Sequence, residues 1–417
     1  MHSIKSLVVG GALAAATLAA RPALAANPPC SGVATNVIYT GGSTAFGPVI
    51  KAIDQSLVAS SSDTVVVFAN SSGQTGSCTG SNFILADVTP TGACASGACP
   101  TGTGQWYDAA GVVQTCDLPA DAHLDVVFSD VFLSSCPGAP ATQPAEIKDT
   151  QGPIQAMLFV IPKLLPAPQQ AITAEEAYFV FGFGGVNGMA SPWLDNTTGF
   201  THQYIRNKGS GTQQMIGRGI GLPGAYINTD KMKGTDAGGS GGVITGVGAS
   251  TDPTTIGILS MDQYDAHRDT LRALAFKSFK QWFAYYPDST PSSFDKANVR
   301  DGHYNIWGPI HFFTRMNGTA TVRPNAQKFL DILNGVTPNT PSILDVQIGA
   351  RVIPQCAMKV KRDIELGPVS KYTDAAPCGC YFEQKAAGTT SCTACTGADG
   401  TACSGGGVCR HKFCEAN

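Results

Sequence analysis

Charge is scarce in this sequence: Asp, Glu, Lys and Arg together make up 14% of its 417 residues. Lys and Arg number 27 against 30 Asp and Glu, a formal charge of −3. There is no basic excess to track a nucleic-acid backbone and no run of like charge to form a polyelectrolyte tail. Histidine is sparse too; the seven are scattered, with no H-x-x-x-H pair to seat a metal. Beyond the first 25 residues no uncharged apolar run reaches membrane-spanning length. No internal repeat is visible apart from the Cys-rich character of the tail. Glycine (48) and proline (26) are abundant and point to many turns and short elements, against a coiled coil or helical array. With 43% hydrophobic residues the chain has material for one or two domains and a sizeable core.

Residues 1–25 read as a secretory signal. Lys5 supplies the charged start, Ser6–Ala20 the apolar stretch, and Ala23-Leu24-Ala25 an A-x-A cleavage site. Cleavage would remove Lys5 and Arg21, leaving 25 basic against 30 acidic residues. Cys30 follows Pro29 rather than the small residue of a lipoprotein box, so no lipid anchor is expected. All 14 cysteines lie after the cleavage site. Six (Cys30, Cys78, Cys94, Cys99, Cys116, Cys136) fall in the first third. Eight (Cys356, Cys378, Cys380, Cys392, Cys395, Cys403, Cys409, Cys414) fall in the last sixth. Two even counts in an exported chain predict two separate disulfide sets. The C-x2-C spacing of Cys392 and Cys395 would also suit zinc, but no second pair matches it. Eight cysteines admit 105 pairings, so connectivity stays open.

Residues 34–145 contain three apolar segments and a Gly/Cys-rich insertion. Residues 150–255 alternate short apolar strands with glycine-rich turns, and 256–336 return to strand and helix. Val336–Pro341 is rich in Pro and Thr, and from Ala375 onward the chain is nearly pure Gly, Cys, Thr, Ala and Ser. Such a tail buries little apolar surface and needs its disulfides to hold it.

Four stretches share one pattern, with small hydroxyl residues and glycines where a strand ends and a helix begins. Gly41-Gly42 and the N-cap residues Ser43 and Thr44 precede Phe46, Val49, Ile50, Ile53 and Leu57, which recur at helical spacing. The strand Thr64–Phe68 runs into Asn70-Ser71-Ser72-Gly73 and Gly76-Ser77-Cys78-Thr79-Gly80. Leu124–Phe128 ends in Ser129-Asp130. Tyr204-Ile205-Arg206 leads through Asn207-Lys208 into Gly209-Ser210-Gly211-Thr212 and a helix through Met215, Ile216 and Ile220. The carboxyl edge of a parallel sheet and the amino ends of its helices present unpaired N–H groups and the positive end of the helix dipole. Hydroxyls add neutral donors. Together with an Arg and an Asp at strand ends, such loops suit a small oxyanion.

On these residues the sequence resembles the periplasmic phosphate-binding proteins of ABC transport systems, the PstS-like branch of the two-lobed binding proteins. The resemblance rests on Gly42-Ser43-Thr44-Ala45-Phe46-Gly47-Pro48, Gly76-Ser77-Cys78-Thr79-Gly80, Phe128-Ser129-Asp130 and Arg206-Asn207-Lys208-Gly209-Ser210-Gly211-Thr212. It covers about residues 34–336. It implies an α/β, two-lobed periplasmic binding protein of type II, to which this chain adds a small disulfide-rich C-terminal module. Lobe one is expected over about 34–150 and 255–336, lobe two over about 151–254, and the tail over 346–417. The resemblance further implies that Thr44, with Ser43 or the Ala45 N–H, donates to phosphate, as does Ser77 or Ser72. Asp130 would accept the proton of hydrogen phosphate, Arg206 would pair with the anion, and Ser210, Gly211 and Thr212 would cradle it. An ionised carboxylate only accepts, so it favours a protonated oxyanion over fully ionised sulfate.

In the family an acidic residue often stands two positions after the arginine; here that place is Lys208. Lys208 either adds charge to the pocket or, as expected here, points to solvent. The insertion between Cys78 and Cys116, with Trp106-Tyr107-Asp108, reads as a disulfide-closed surface flap.

Catalytic readings find little support. Gly238-Gly239-Ser240-Gly241-Gly242 matches G-x-S-x-G, yet Lys233–Ala237 does not read as the strand an elbow needs. His303 and His311 read as packed or surface groups, and Gly209–Thr212 lacks the Lys-Ser/Thr ending of a P-loop. Glu175 and Glu176, adjacent on a helix, do not face one another. The expectation is therefore an exported, non-enzymatic protein of periplasm or cell surface, without metal or cofactor. It would bind inorganic phosphate by hinge closure and present it to an ABC permease, or to a surface partner through the tail. The alternative is a structural or adhesive surface protein that keeps the fold without binding phosphate.

Overall fold

The computed structural model describes residues 26–415 apart from 61, 72, 89–92, 185–190, 194–199, 318–320, 335 and 337–341. The expected secretory signal and Ser72 lie outside the described residues.

The first half of the chain builds β1 (Asn36–Gly42), α1 (Gly47–Ala59), β2 (Thr64–Ala69) and α2 (Ser77–Ala86). It continues with β3 (Thr103–Tyr107), β4 (Val113–Asp117), β5 (Val126–Ser129) and the 16-residue β6 (Ile147–Pro162). Next come β7 (Ala171–Thr173), α3 (Ala174–Phe183), β8 (Gln203–Ile205), α4 (Gly211–Gly219), α5 (Gly224–Ile227), β9 (Thr235–Asp236) and α6 (Ser240–Gly248). Then follow β10 (Ile256–Ser260), α7 (Met261–Ala266), β11 (Leu271–Ala273), β12 (Ala275–Lys277), α8 (Ala297–Arg300) and β13 (Trp307–Asn317).

The main sheet runs β4-β3-β2-β1-β5-β13-β6-β10-β8-β9. β2, β1 and β5 are parallel neighbours, as are β10, β8 and β9. Between these two parallel blocks stand β13 and β6, antiparallel to each other. β6 pairs with β13 along its first part and with β10 from Met157 to Val160, so it crosses from one half to the other. β13 crosses back, from Trp307 opposite Ala156 to Thr314 opposite Val126.

Local chemistry accounts for the elements. All six residues of β2 are buried, as in a parallel strand covered on both faces, and four of them are β-branched. α1 opens with Pro48 in its first turn and buries Val49, Ile50, Ile53 and Leu57. Phe46 and Phe128 meet at 4.7 Å between ring centroids, with Phe312 and Phe329 against Phe128 at 5.8 and 5.6 Å, forming the core of the first half. The second half packs around Met157–Ile161, Phe181, Ile216 and Phe276.

Three expectations need correction. The chain does not return to the first half at residue 255: β10 pairs with β8 and β6, and re-entry comes only along β13. A short apolar run such as Ile256–Ser260 carries no local signal of which strand it joins. The Cys78–Cys116 insertion carries disulfides as expected of a closed flap, but it also joins the sheet: β3 and β4 form a hairpin that extends it beyond β2, and Cys116 pairs with Cys30. The tail is not detached from the body either. Ile353 exchanges backbone hydrogen bonds with Ile154, and Ile353, Ala357, Met358, Cys378 and Phe382 enter the core of the second half.

Seven disulfides use all fourteen cysteines and stay within the two groups. The C-x2-C cysteines belong to different bridges, Cys380–Cys392 and Cys395–Cys409, which removes the zinc reading. No helix among the described residues is long and apolar enough to cross a membrane.

Candidate functional site

The carboxyl ends of β1, β5, β8 and β10 converge with the starts of α2, α4 and α6 on one small cavity. Larger hollows lie between the tail and the body. The strand-end cavity gathers hydroxyls around an arginine and a carboxylate. Every described candidate lines it: Ser43, Thr44, Ala45, Ser77, Asp130, Arg206, Ser210, Gly211 and Thr212. Thr44 is exposed at the rim, while Ser43, Ser77, Asp130, Ser210 and Thr212 are buried.

The two halves touch across this cavity. The Cys78 N–H at the start of α2 donates to the Gly209 carbonyl at 3.0 Å. Close approach demands glycine here. A Cβ on Gly211 would lie 2.3 Å from Ser77 Oγ, and one on Gly76 would lie 2.6 Å from the Gly209 oxygen.

Two serines aim at the aspartate. Ser43 Oγ donates to Asp130 Oδ2 at 2.8 Å and accepts the Ala45 N–H. Ser77 Oγ donates to the same oxygen at 3.0 Å and accepts the Asp130 N–H at 3.1 Å. Their protons are thereby committed to Asp130, whereas the sequence led us to expect ligand donors. Asp130 Oδ1 is buried with no partner. Burial pushes the Asp130 carboxyl up, and the hydroxyls of Ser43 and Ser77 and the charge of Arg206 pull it back.

Arg206 follows β8 and is 9% exposed. Its N–H donates to Gln213 Oε1, and its Nη1 donates to Ser240 Oγ at 2.9 Å. Its Nε is buried and unpartnered. Burial draws the guanidinium down, opposed by the carboxylates of Asp130 and Asp236. Ser210 caps α4 by accepting the Gln213 N–H. Lys208 turns outward to an exposed ion pair with Asp230 at 3.3 Å.

Two lining residues escaped the sequence reading as ligand contacts, Ser240 and Ser260, and Gly76 entered it only as part of its stretch. Ser240 starts α6 and Ser260 stands between β10 and α7, so both obey the strand-end rule that identified the others. Ser240 was weighed only as a nucleophile. A two-residue strand does precede it, contrary to expectation, but its oxygen accepts from a guanidinium, which opposes nucleophilic attack. Behind Asp130, Glu365 of the tail accepts the Phe132 N–H at 3.0 Å and Ser135 Oγ at 3.2 Å. Nothing local in the sequence announces that contact. Asp262 is buried near Asp130, accepts from Gln155 at 2.8 Å, and is pushed up to about 6 by burial. His311 bonds Asp149 at 2.8 Å, and His303 stacks on Tyr285.

No family model and no curated protein matches the chain. Solved structures with a similar fold exist at low identity. One, from Clostridium perfringens, is assigned as a phosphate ABC transporter substrate-binding protein and was solved with bound phosphate. It is 14% identical, covering 76% of this chain and 99% of that one at a TM-score of 0.48. An ABC-type phosphate transport receptor from Vibrio cholerae is 13% identical with the same coverage, at 0.46. The OxyR regulatory domain from Pseudomonas aeruginosa is 11% identical, covering 71% and 95%, at 0.36. Two parallel blocks joined by the crossing strands β6 and β13, with the cavity at their seam, form an α/β binding-protein fold of two halves. To it is added a disulfide-rich C-terminal module.

Proposed function

We infer that this is an exported, non-enzymatic solute-binding protein that captures inorganic phosphate between its two halves. One observation carries the reading: Arg206 Nε and Asp130 Oδ1 are both buried, both unpartnered, and belong to side chains that line the same hydroxyl-rich cavity. Guanidinium only donates and a carboxylate only accepts, so the fitting guest has anionic oxygens and a proton of its own. Hydrogen phosphate has both; fully ionised sulfate lacks the proton. Ser43 and Ser77 orient the carboxylate, Ser240 orients the guanidinium, and the first turn of α4 with Ser210, Gly211 and Thr212 adds backbone N–H donors. Closure would bend β6 and β13, the strands that cross between the halves. Seven disulfides suit an oxidising compartment outside the cytoplasm. The loaded protein would then meet an ABC permease or, through its tail, a surface partner.

A thermal-shift titration tests this. Phosphate at 100 times its dissociation constant should stabilise the protein by about 2.7 kcal/mol. Arg206→Ala should abolish the shift, because a buried anion loses its main counter-charge. No shift with millimolar phosphate would leave the adhesive alternative, and a larger shift with sulfate would reassign the anion.

A further inference from the structure

A second hollow, of about 80 Å³, lies where the tail closes over the two crossing strands. Ile154 and Pro309, opposite one another on β6 and β13, form its floor, beside the register shift between Pro309 and His311. Met358 and Val360 of the tail form an apolar wall. Gln151, Gln355, Lys361 and Tyr372 add polar groups to the lining, and two further ones, Trp307 and Arg362, are almost wholly buried. Trp307 is 1% exposed and Arg362 3%, and neither the indole Nε1 nor the guanidinium Nε has a partner. The guanidinium carbon lies over the indole ring, 4.0 Å from its centroid, with Nη1 and Nη2 held by the backbone and side-chain oxygens of Asn305 at 3.2 and 3.3 Å. Arg362 Nε and Trp307 Nε1 are thus the two buried nitrogens here with no partner.

We propose that this hollow is a binding site for a small monocarboxylate with a short apolar body. A carboxylate has two oxygens for the two remaining donors, while its hydrocarbon part meets Ile154, Pro309, Met358 and Val360. Burial draws the Arg362 guanidinium down to about 10, with Glu365 opposing, and a bound carboxylate adds the missing counter-charge. The site is separate from the oxyanion cavity, with which it shares no lining residue.

Butyrate is the probe and butyramide its neutral counterpart. In the full-length ¹⁵N-labelled protein, the Trp307 indole N–H signal is identified by its loss in Trp307→Phe. Butyrate should shift it saturably in the millimolar range and raise the Tm, while butyramide and phosphate should not shift it. Arg362→Lys should weaken butyrate binding by about tenfold or more, since Lys cannot keep the flat, forked geometry. Trp307→Phe should lose the Tm gain, and Arg206→Ala should retain both responses, which separates this site from the phosphate reading. The proposal is overturned by no saturable shift up to tens of millimolar, by an equal response to butyramide, or by full stabilisation of Trp307→Phe; each would mean that water alone satisfies the two donors.

Discussion

Cys78 and Gly209 share a backbone hydrogen bond of 3.0 Å directly across the cleft. Cys78 is also bridged to Cys136, whose neighbour Ser135 gives its carbonyl oxygen to Arg218 Nη2 at 2.8 Å, near the far end of α4. One disulfide therefore ties together the two contacts that hold α4, the helix that presents Ser210, Gly211 and Thr212, near each of its ends.

Paired replacement Cys78→Ser with Cys136→Ser should accordingly act on stability and binding together. A bridge spanning 58 residues contributes ~4 kcal/mol by loop-closure entropy. Phosphate affinity should fall about tenfold as α4 loses its fixed seat. Denaturant unfolding and calorimetric titration check both; lower stability with unchanged affinity would show that the helix is positioned without the bridge.

Asp130→Asn should alter selectivity more than strength. The amide places an N–H₂ where the carboxylate accepted, so it no longer penalises an unprotonated oxyanion. The phosphate-over-sulfate ratio should drop by about tenfold or more, with a smaller loss in phosphate affinity. An unchanged ratio in competition binding would remove Asp130 from the discrimination.

Ser240→Ala releases Arg206 Nη1 and should cost about 1 kcal/mol, or roughly fivefold in phosphate affinity, at nearly unchanged Tm. Lys208→Ala should change nothing measurable, because that side chain pairs with Asp230 in solvent. Equal losses for the two variants would contradict the geometry of the arginine.

Asp54 supplies a pH signature unrelated to ligand. It sits in α1, accepts the Val66 and Tyr107 N–H groups at 2.8 and 3.1 Å, and burial pushes its carboxyl up to about 8. With its folded value raised above 3.8, its stability contribution is complete below that pH and is lost as pH climbs through about 8. Tm should fall between about pH 5 and 8, and Asp54→Asn should flatten part of that fall. The variant keeps one acceptor, so it should be about 1 kcal/mol less stable at the acid end and draw level at the alkaline end. Parallel calorimetric curves would refute the assignment.

Much of the first half was legible because its signals are local. The spacing of Phe46, Val49, Ile50, Ile53 and Leu57 announces the helix whose residues are buried in the structure. The even cysteine groups announce two disulfide sets. Ser43, Ser77 and Ser210 stand out as hydroxyls at helix starts. Ser240 and Ser260 obey the same rule and were legible, but one was hidden by a motif with a catalytic meaning and the other by a plain apolar strand.

What stayed illegible depends on partners far along the chain. β10 joins β8 and β6 through pairings that Ile256–Ser260 does not encode. Ile353 and Glu365 belong to a region whose composition suggests an appendage, yet they contact Ile154 and Phe132 more than 190 residues earlier. The turning of Ser43 and Ser77 toward Asp130 is likewise a tertiary fact, because a hydroxyl at an N-cap can donate in several directions.

The most direct measurement is a crystal structure of the protein grown with phosphate. The account predicts tetrahedral density in the cleft within hydrogen-bond distance of Arg206 Nε and of Asp130 Oδ1. Phosphate bound elsewhere, or a cleft without phosphate in which Arg206 Nε and Asp130 Oδ1 have found protein partners, would contradict it.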